Sequence, residues 1–295
     1  MGGSEAAQRT APAARDLDEL LALRAALARL DPAGPPVAVV AQAPRGEDGA
    51  ALDGAAHGCR LGILPGSFNP LTNAHAALAG VALEAGGLDA VYLALSRRTV
   101  DKEGVDRPSQ ADRALVLCRY ARRQPRHGVL LFNRGLYAEQ AEAARARFPD
   151  AAEIGFVVGF DKARQIFDPG YYTDREAALA RLFAAATLLV APRGADGAAE
   201  FAELLGRPEN RAYRERVRLL PFDPAYAGDS ATVVRSAVQS GWAVDALVPP
   251  ETLAFLAEAR PYDPPQTEAD GVRRDHYAER EAWIERMAGG GVAGG

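Results

Sequence analysis

The segment Gly66 to His75 combines a glycine, side-chain hydroxyls and an imidazole directly after a short apolar run. It reads Gly-Ser-Phe-Asn-Pro-Leu-Thr-Asn-Ala-His and follows Leu61–Leu64. This order predicts a strand, a tight turn and a helix that opens near His75. Backbone N–H groups of the turn and of the helix start would point to one spot, where the helix dipole favours an anion. The segment is therefore a candidate phosphate site.

A second segment with similar chemistry lies far along the chain, from Asp229 to Ser236. It reads Asp-Ser-Ala-Thr-Val-Val-Arg-Ser, and both Ser230 and Thr232 are good residues for starting a helix. We expect Arg235 in the first helical turn, where a cation is unfavourable against the dipole unless an anion is bound. Two such helix starts facing one groove would hold a nucleoside triphosphate.

Each segment also has a purely structural interpretation. Gly66 would then only permit the turn, Thr72 would only cap the helix, and His75 would be a partly buried histidine with local partners. Ser230 would likewise only begin a helix. The leading apolar strand in the first segment and the position of Arg235 in the second favour phosphate binding.

The elements that must position these residues alternate regularly from Arg60 onward. Predicted strands are Leu61–Leu64, Ala90–Leu95, Val129–Phe132, Ile154–Val158, Thr187–Ala191 and Val217–Phe222, and predicted helices between them are Ala74–Glu84, Gln110–Arg123, Ala138–Phe148, Arg175–Ala185 and Glu200–Leu205. This alternation indicates an α/β fold with a Rossmann-like parallel sheet and helices on both faces. Ligands of such sheets bind beyond the carboxyl ends of the strands, where the strand order switches.

Further candidate residues follow the predicted strands. Lys102 belongs to a basic loop, and Arg193 comes directly after another strand. Gly159 would let a ligand approach the backbone, whereas Asp161 could bind ribose hydroxyls, orient a neighbouring group or cap a helix. For the charged loops, an ordinary solvated surface is the alternative.

The sequence predicts three parts. They are an N-terminal extension (1–58, one helix and a Pro/Gly/Ala-rich connection), a catalytic domain (59–262), and a charged C-terminal helix with a disordered tail (263–295). Within the extension, Val37–Ala41 is one possible strand. The terminal helix is expected at Asp275–Met287.

Composition narrows the functional class. Hydrophobic residues make up 48% of the chain, enough for a large core, and the net charge of -5 argues against nucleic acid or a membrane as partner. With only Cys59 and Cys118, and no signal peptide or long apolar run, we expect a cytoplasmic protein. A homo-oligomer is left open.

Known catalytic motifs of other classes are missing from the sequence. It has no P-loop, no nucleophile elbow, no dinucleotide-binding glycine fingerprint after a strand, and no metal-ligand spacing among its His and Cys residues. The two helix starts therefore remain the strongest indication of function.

The first of these segments resembles the His-x-Gly-His motif of the nucleotidyltransferase superfamily, and most of all that of nicotinamide/nicotinate mononucleotide adenylyltransferases. Thr72 and Ala74 stand at the positions of the first His and the Gly. Ser230-x-Thr232-x-x-Arg235 resembles the family's second signature, and Gly159-x-Asp161 its nucleotide-contacting Gly-x-Asp. The resemblance spans about residues 60–262, nearly the whole predicted catalytic domain.

The resemblance implies transfer of AMP from ATP to the 5′-phosphate of nicotinate or nicotinamide mononucleotide, with release of pyrophosphate, as a step of NAD biosynthesis. Mg²⁺ would accompany ATP and be held mainly by phosphates. Catalytic roles are implied for His75, Arg235, Thr72 and Lys102. Nucleotide-binding roles are implied for Gly66, Ser67, Phe68, Gly159, Asp161, Arg193, Ser230 and Thr232.

The acceptor is less well defined than the nucleotide. The family commonly has a Trp downstream of Gly-x-Asp that stacks on the pyridine ring, but this chain has none there, so Tyr137, Tyr171 and Tyr172 are the candidates for stacking. Another phosphorylated acceptor, or CTP in place of ATP, is the alternative within the enzyme class. From a different class, the chain would be a non-catalytic nucleotide-binding regulator on the same fold.

Overall fold

The computed structural model describes residues 14–30, 34–43, 58–97, 107–192, 197–267 and 271–290. Its strands are β1 (Val37–Ala41), β2 (Arg60–Pro65), β3 (Ala90–Ser96), β4 (His127–Phe132), β5 (Glu153–Gly159), β6 (Thr187–Ala191), β7 (Val217–Leu219), β8 (Gln266–Thr267) and β9 (Arg273–Arg274). Its α-helices are α1 (Ala14–Arg29), α2 (Asn73–Glu84), α3 (Gln110–Arg123), α4 (Tyr137–Arg147), α5 (Phe160–Phe167), α6 (Arg175–Ala185), α7 (Gly197–Gly206), α8 (Ala231–Gln239), α9 (Pro250–Ala259) and α10 (His276–Gly290). Short 3₁₀ helices lie at Pro169–Tyr171, Pro208–Arg216 and Pro224–Gly228.

One seven-stranded sheet organises the molecule, in the order β1-β4-β3-β2-β5-β6-β7. The strands from β2 to β7 are parallel to their neighbours, whereas β1 pairs antiparallel with β4. Buried apolar side chains form one cluster on each face of the sheet. The predicted α/β class is confirmed, with one antiparallel edge strand added by the N-terminal extension.

The apolar runs located the strands of the sheet well because a parallel strand covered on both faces buries nearly every side chain. The last strand, β7, ends at Leu219 instead of at the predicted Phe222. Leu220 still donates its amide to the carbonyl of Val190, at 2.8 Å. Pro221 follows, and because proline has no N–H to donate, the pairing stops there.

Helix α5 was missing from the sequence prediction. It begins directly where β5 ends, with Gly159 as its N-cap, so Asp161 is not the capping residue but the second residue of the helix. Phe160, Ala163 and Ile166 are spaced three residues apart and are buried on one face. This spacing is helical, but the helix is short and has no polar cap to mark its start.

Helices α1 and α10 both pack against α3. Helix α1 buries Leu20, Leu23 and Ala26 in the cluster that also contains the inner face of α3. Helix α10 places Arg280 on the fully buried carboxylate of Asp112, with N–O distances of 2.8 and 3.0 Å. The described parts of both predicted flanking segments thus contribute to the core, while the predicted three-part division stays a prediction.

The carboxylate of Asp112 is the centre of a closed polar cluster. It accepts hydrogen bonds from Tyr277 at 2.5 Å and from the Ser109 hydroxyl at 3.0 Å, in addition to Arg280. Glu281 extends the cluster to α1 through a 2.8 Å ion pair with Arg24. Burial and the nearby charge of Asp112 raise the pKa of Glu281 to about 7.

Two further findings bear on the earlier expectations. Cys59 and Cys118 are both buried, and neither is in a disulfide. No helix within the described ranges is long and apolar enough to span a membrane.

Candidate active site

The strand order switches between β2 and β5, at the centre of the sheet. From β2 the chain continues to β3 and β4 on one side, and from β5 it continues to β6 and β7 on the other. The two strands run parallel, with Ile63 opposite Phe156, and they end at Pro65 and Gly159. The loop that begins at Gly66 and helix α5 therefore leave the same edge, at the position where such sheets bind ligands.

The turn after β2 is built around the ring of Phe68. Phe68 is buried and has a φ of 42°, in the left-handed region. A Cβ at position 66 would lie only 2.9 to 3.1 Å from the Phe68 ring, so this packing requires the glycine. The Gly66 amide continues the ladder by donating to Ala94 at 3.0 Å. Gly66 thus has a structural reason in addition to any role toward phosphate.

Helix α2 begins with Thr72 as N-cap and has His75 as its third residue. The Thr72 amide donates to His75 Nδ1 at 3.1 Å, and the Thr72 hydroxyl lies 2.8 Å from the same nitrogen. Because an amide can only donate, Nδ1 carries no proton, and a neutral imidazole holds its hydrogen on Nε2. His75 occupies the position that Glu or Gln takes in a capping box. Thr72 and His75 thus form the capping box of α2, in addition to any role toward phosphate.

Hydrogen bonds join the two segments that the sequence singled out. Arg235 donates from Nη1 to the Asn69 carbonyl at 2.6 Å, and Thr72 donates from its hydroxyl to the Asp229 carbonyl at 3.3 Å. Tyr262 adds a 2.5 Å hydrogen bond to the side-chain oxygen of Asn69. Two helix starts more than 150 positions apart along the chain thus meet beside the switch point.

The start of α8 differs in one detail from the expectation. Ser230 is the N-cap and accepts from the Val233 amide at 3.2 Å, but Arg235 is the fifth residue of the helix, beyond the first turn. Its Nη2 donates to the Thr232 hydroxyl at 3.0 Å. The guanidinium therefore meets neutral acceptors, and the expected conflict with the dipole is weak because the dipole's effect fades after one turn. Ser230 and Thr232 are both exposed.

The three candidate tyrosines have different surroundings. Tyr137 opens α4 and packs edge-on against Phe156, with ring centroids 5.7 Å apart. Burial, and to a lesser degree the charge of Tyr172, raises the pKa of Tyr137. The Tyr172 hydroxyl donates to the Ile166 carbonyl at 2.8 Å, and Tyr171 is exposed.

Lys102, Arg193 and Asp161 are the other charged residues that the sequence predicted for the site. Lys102 and Arg193 lie outside the described residues. Asp161 is exposed in the first turn of α5, where the helix dipole favours a carboxylate.

Arg113 of α3 is a residue of the site that the sequence did not indicate. Its Nη1 donates to the Ser67 carbonyl at 3.1 Å, and burial lowers the pKa of its guanidinium. No local pattern in α3 distinguishes this arginine, because only the packing of α3 against the turn brings it there. Asn69 and Tyr262 were within recognised segments, but their mutual hydrogen bond depends equally on tertiary packing.

Among the described residues, no group of three or more His, Cys, Asp or Glu side chains could hold a metal ion. Phosphate oxygens are hard ligands of the kind that Mg²⁺ prefers.

Comparison with known proteins gives a structural answer only. No family model matches the chain, and no curated protein matches it. Among solved structures, Plasmodium falciparum nicotinic acid mononucleotide adenylyltransferase complexed with NaAD has a TM-score of 0.51 and 16% identity, over 69% of this chain and 97% of that chain. The same enzyme complexed with APC has a TM-score of 0.49 and 15% identity, with the same coverage.

The chain has a nucleotidyltransferase-like fold. At this level of identity the similarity describes the architecture and leaves the substrate undefined.

Proposed function

We propose that the protein is a nucleotidyltransferase that transfers AMP from ATP to the 5′-phosphate of nicotinate or nicotinamide mononucleotide. The observation that carries the proposal is the meeting of two helix starts at the switch point, joined by the bonds Arg235–Asn69 and Thr72–Asp229. Both starts present donors to one region, which suits the long, highly charged triphosphate.

In the proposed reaction, a phosphate oxygen of the acceptor attacks the α-phosphorus of ATP. A new P–O bond forms, the bond to the β-phosphate oxygen breaks, and pyrophosphate leaves. The protein forms no covalent bond, so its contribution is positioning and stabilisation of developing charge. His75 would donate from Nε2 and Arg235 from its guanidinium, while Ser230 and Thr232 would donate hydroxyl hydrogens to the phosphates.

The capping role of Ser230 is compatible with phosphate binding. Its oxygen accepts from the Val233 amide, which leaves the hydroxyl hydrogen as a donor. We propose that backbone groups of Gly66, Ser67 and Phe68 lie against the nucleotide, that Gly159 lets it approach the backbone, and that Asp161 binds ribose hydroxyls. Mg²⁺ would enter as part of the substrate MgATP and offset phosphate charge.

Lys102 and Arg193 complete the proposal as further cations toward the phosphates, with Lys102 in a catalytic role. In the sequence, Lys102 comes after β3 and Arg193 comes after β6, two strands that run parallel to β2 and β5. Their roles rest on sequence position and on the resemblance.

The proposed acceptor follows from the sequence resemblance, and the structural neighbour from Plasmodium falciparum is itself a nicotinic acid mononucleotide adenylyltransferase. Tyr171 offers an exposed ring that can provide an aromatic face for a pyridine, and Tyr137 and Tyr172 remain the other candidates. Another phosphorylated acceptor, or CTP in place of ATP, is the second candidate, because the donors described above contact phosphates rather than the base or the acceptor.

A pyrophosphate-release screen tests the proposal. ATP and CTP, each with Mg²⁺, are combined with nicotinate mononucleotide, nicotinamide mononucleotide and several other phosphorylated small molecules. Release with ATP and a pyridine mononucleotide is expected, and release only with CTP or another acceptor would replace the proposed substrates. ATP binding without release from any pair would contradict the enzyme and favour a nucleotide-binding regulator.

Two arginine variants are compared in the same assay, one as the control and one as the test. Arg207→Ala removes an exposed arginine directly after α7, whose 3.5 Å ion pair is with Glu203 of that helix, and release should be unchanged. Arg235→Ala should abolish most of the release.

A further inference from the structure

Arg113 is a cation with few partners for its degree of burial. Among the described residues, its side chain forms one hydrogen bond, from Nη1 to the Ser67 carbonyl. Its Nε is buried and has no hydrogen-bond partner there. Burying a guanidinium without a full set of acceptors is costly, so the position calls for a physical explanation.

The neighbouring carboxylate does not supply that explanation. Asp112 precedes Arg113 in sequence, yet its hydrogen bonds go to Arg280, Tyr277 and Ser109. Among the salt bridges of the described residues, none involves Arg113. Arg113 therefore donates its side-chain hydrogen bond to the turn after β2, while Asp112 and Tyr277 act on it through charge alone.

The bond to Ser67 fixes the orientation of one peptide plane. The Ser67–Phe68 peptide is trans, so the Ser67 carbonyl and the Phe68 amide point to opposite sides of it. With the carbonyl held by Arg113, the amide faces away from α3. Among the hydrogen bonds of the described residues, none uses the Phe68 amide as donor, although Phe68 is only 2% exposed.

We propose that Arg113 is a positioning residue: it holds the Ser67 carbonyl so that the Phe68 amide is aimed at a phosphate group of the ligand. This inference rests on the proposed function, which it deepens by assigning the Phe68 amide as a phosphate donor and Arg113 as its support. A bound anion beside this turn would also offset the charge of the under-paired guanidinium.

The test is an NMR titration with inorganic pyrophosphate on the full chain labelled with ¹⁵N-phenylalanine. In the wild type, the Phe68 amide resonance should shift as pyrophosphate binds. In Arg113→Met, this shift should be lost and the affinity for pyrophosphate should fall about tenfold, the loss of one charge-assisted hydrogen bond. Arg113→Lys, which keeps a donor, should recover part of both.

Arg119→Met is the matched control, because Arg119 lies on the same helix and is ion-paired with Asp16 and Glu258 away from the turn. It should bind pyrophosphate as the wild type does. A Phe68 amide that ignores pyrophosphate in the wild type, or an Arg113→Met protein that is folded by its other amide resonances and responds normally, would overturn the inference. A normal response together with no pyrophosphate release from any substrate pair would instead overturn the proposed function alone.

Discussion

Two polar clusters, one around Asp112 and one around the turn after β2, differ in how their charged groups are paired. Around Asp112, one buried carboxylate accepts hydrogen bonds from an arginine, a tyrosine and a serine. Around the turn after β2, Arg113 and Arg235 each donate to a main-chain carbonyl, and neither forms a salt bridge among the described residues. The first cluster is closed, and the second has an excess of donors.

This difference separates structural polar chemistry from ligand-binding chemistry. In a closed cluster, the hydrogen bonds and ion pairs among its own members offset the cost of desolvating their charges. Such a cluster holds elements together, here α10 and α3. A cluster of arginines that donate only to neutral carbonyls keeps its positive charge uncompensated, and this leaves a positive field at the edge of the sheet. We therefore expect mutations in the first cluster to change stability and mutations in the second to change binding and turnover.

The largest expected effect is on the closed cluster. Arg280→Met leaves the Asp112 carboxylate buried without its cation and should lower the free energy of unfolding by about 3–5 kcal/mol. The double variant Asp112→Leu/Arg280→Met should recover much of that loss, since it contains no lone buried charge. Denaturant unfolding measures the free energy of unfolding of both proteins. An Arg280→Met protein as stable as the wild type would show that the Asp112–Arg280 ion pair does not contribute to stability.

The next largest effect is expected in the open cluster, on turnover. His75→Ala removes a donor to developing charge and should lower the rate of pyrophosphate release by about 10²–10³-fold, with a loss of stability of only about 1 kcal/mol from the cap. His276→Ala, at the start of α10, is the control and should keep its rate. An unchanged rate in His75→Ala would remove this histidine from the mechanism.

A smaller effect concerns the pH dependence of stability. The pKa of Glu281 is raised to about 7, above its ordinary value of 4.5, mainly by burial. The stability that this group contributes is full below the ordinary pKa and is lost as the pH rises through the folded-state value. The free energy of unfolding of the wild type should therefore fall by on the order of 1–2 kcal/mol between about pH 5 and pH 8, and the Tm should fall with it.

Glu281→Gln cannot ionise and should show a flatter profile over that range. Glu285→Gln, an exposed position on the same helix, should retain the wild-type slope. Equal slopes in all three proteins would mean that Glu281 titrates normally.

The smallest effect separates capping from phosphate binding at Ser230. Asp caps helices as well as Ser does, so Ser230→Asp should leave the Tm nearly unchanged. Its negative charge beside the phosphates should weaken MgATP binding about fivefold, as measured by calorimetry. Ser240→Asp adds the same charge roughly 15 Å along the helix and should have little effect. Full MgATP affinity in Ser230→Asp would leave Ser230 with its capping role alone.

Much of the fold could be predicted from the sequence, because buried parallel strands appear as continuous apolar runs. The helix that starts at Phe160 could not, since a glycine cap and only two turns give little local signal. The closed cluster also escaped prediction, because Asp112 and Arg280 lie 168 positions apart. A buried ion pair of this kind has no sequence pattern.

The candidate site was predictable to a different extent. The two helix starts were located from their own residue order, and the rule that ligands bind at the switch in strand order placed the first of them at the ligand edge of the sheet. Arg113 was not found, because its role depends on how α3 packs against a turn 46 residues earlier. The positions of Lys102 and Arg193 remain predictions.

The most direct test of the central claim is a crystal structure of the protein with Mg²⁺ and a non-hydrolysable ATP analogue. The account predicts phosphate oxygens within about 3 Å of the His75 imidazole or the Phe68 amide on one side and of Arg235 or Ser230 on the other. A triphosphate bound elsewhere, or one that contacts only one of the two helix starts, would contradict it.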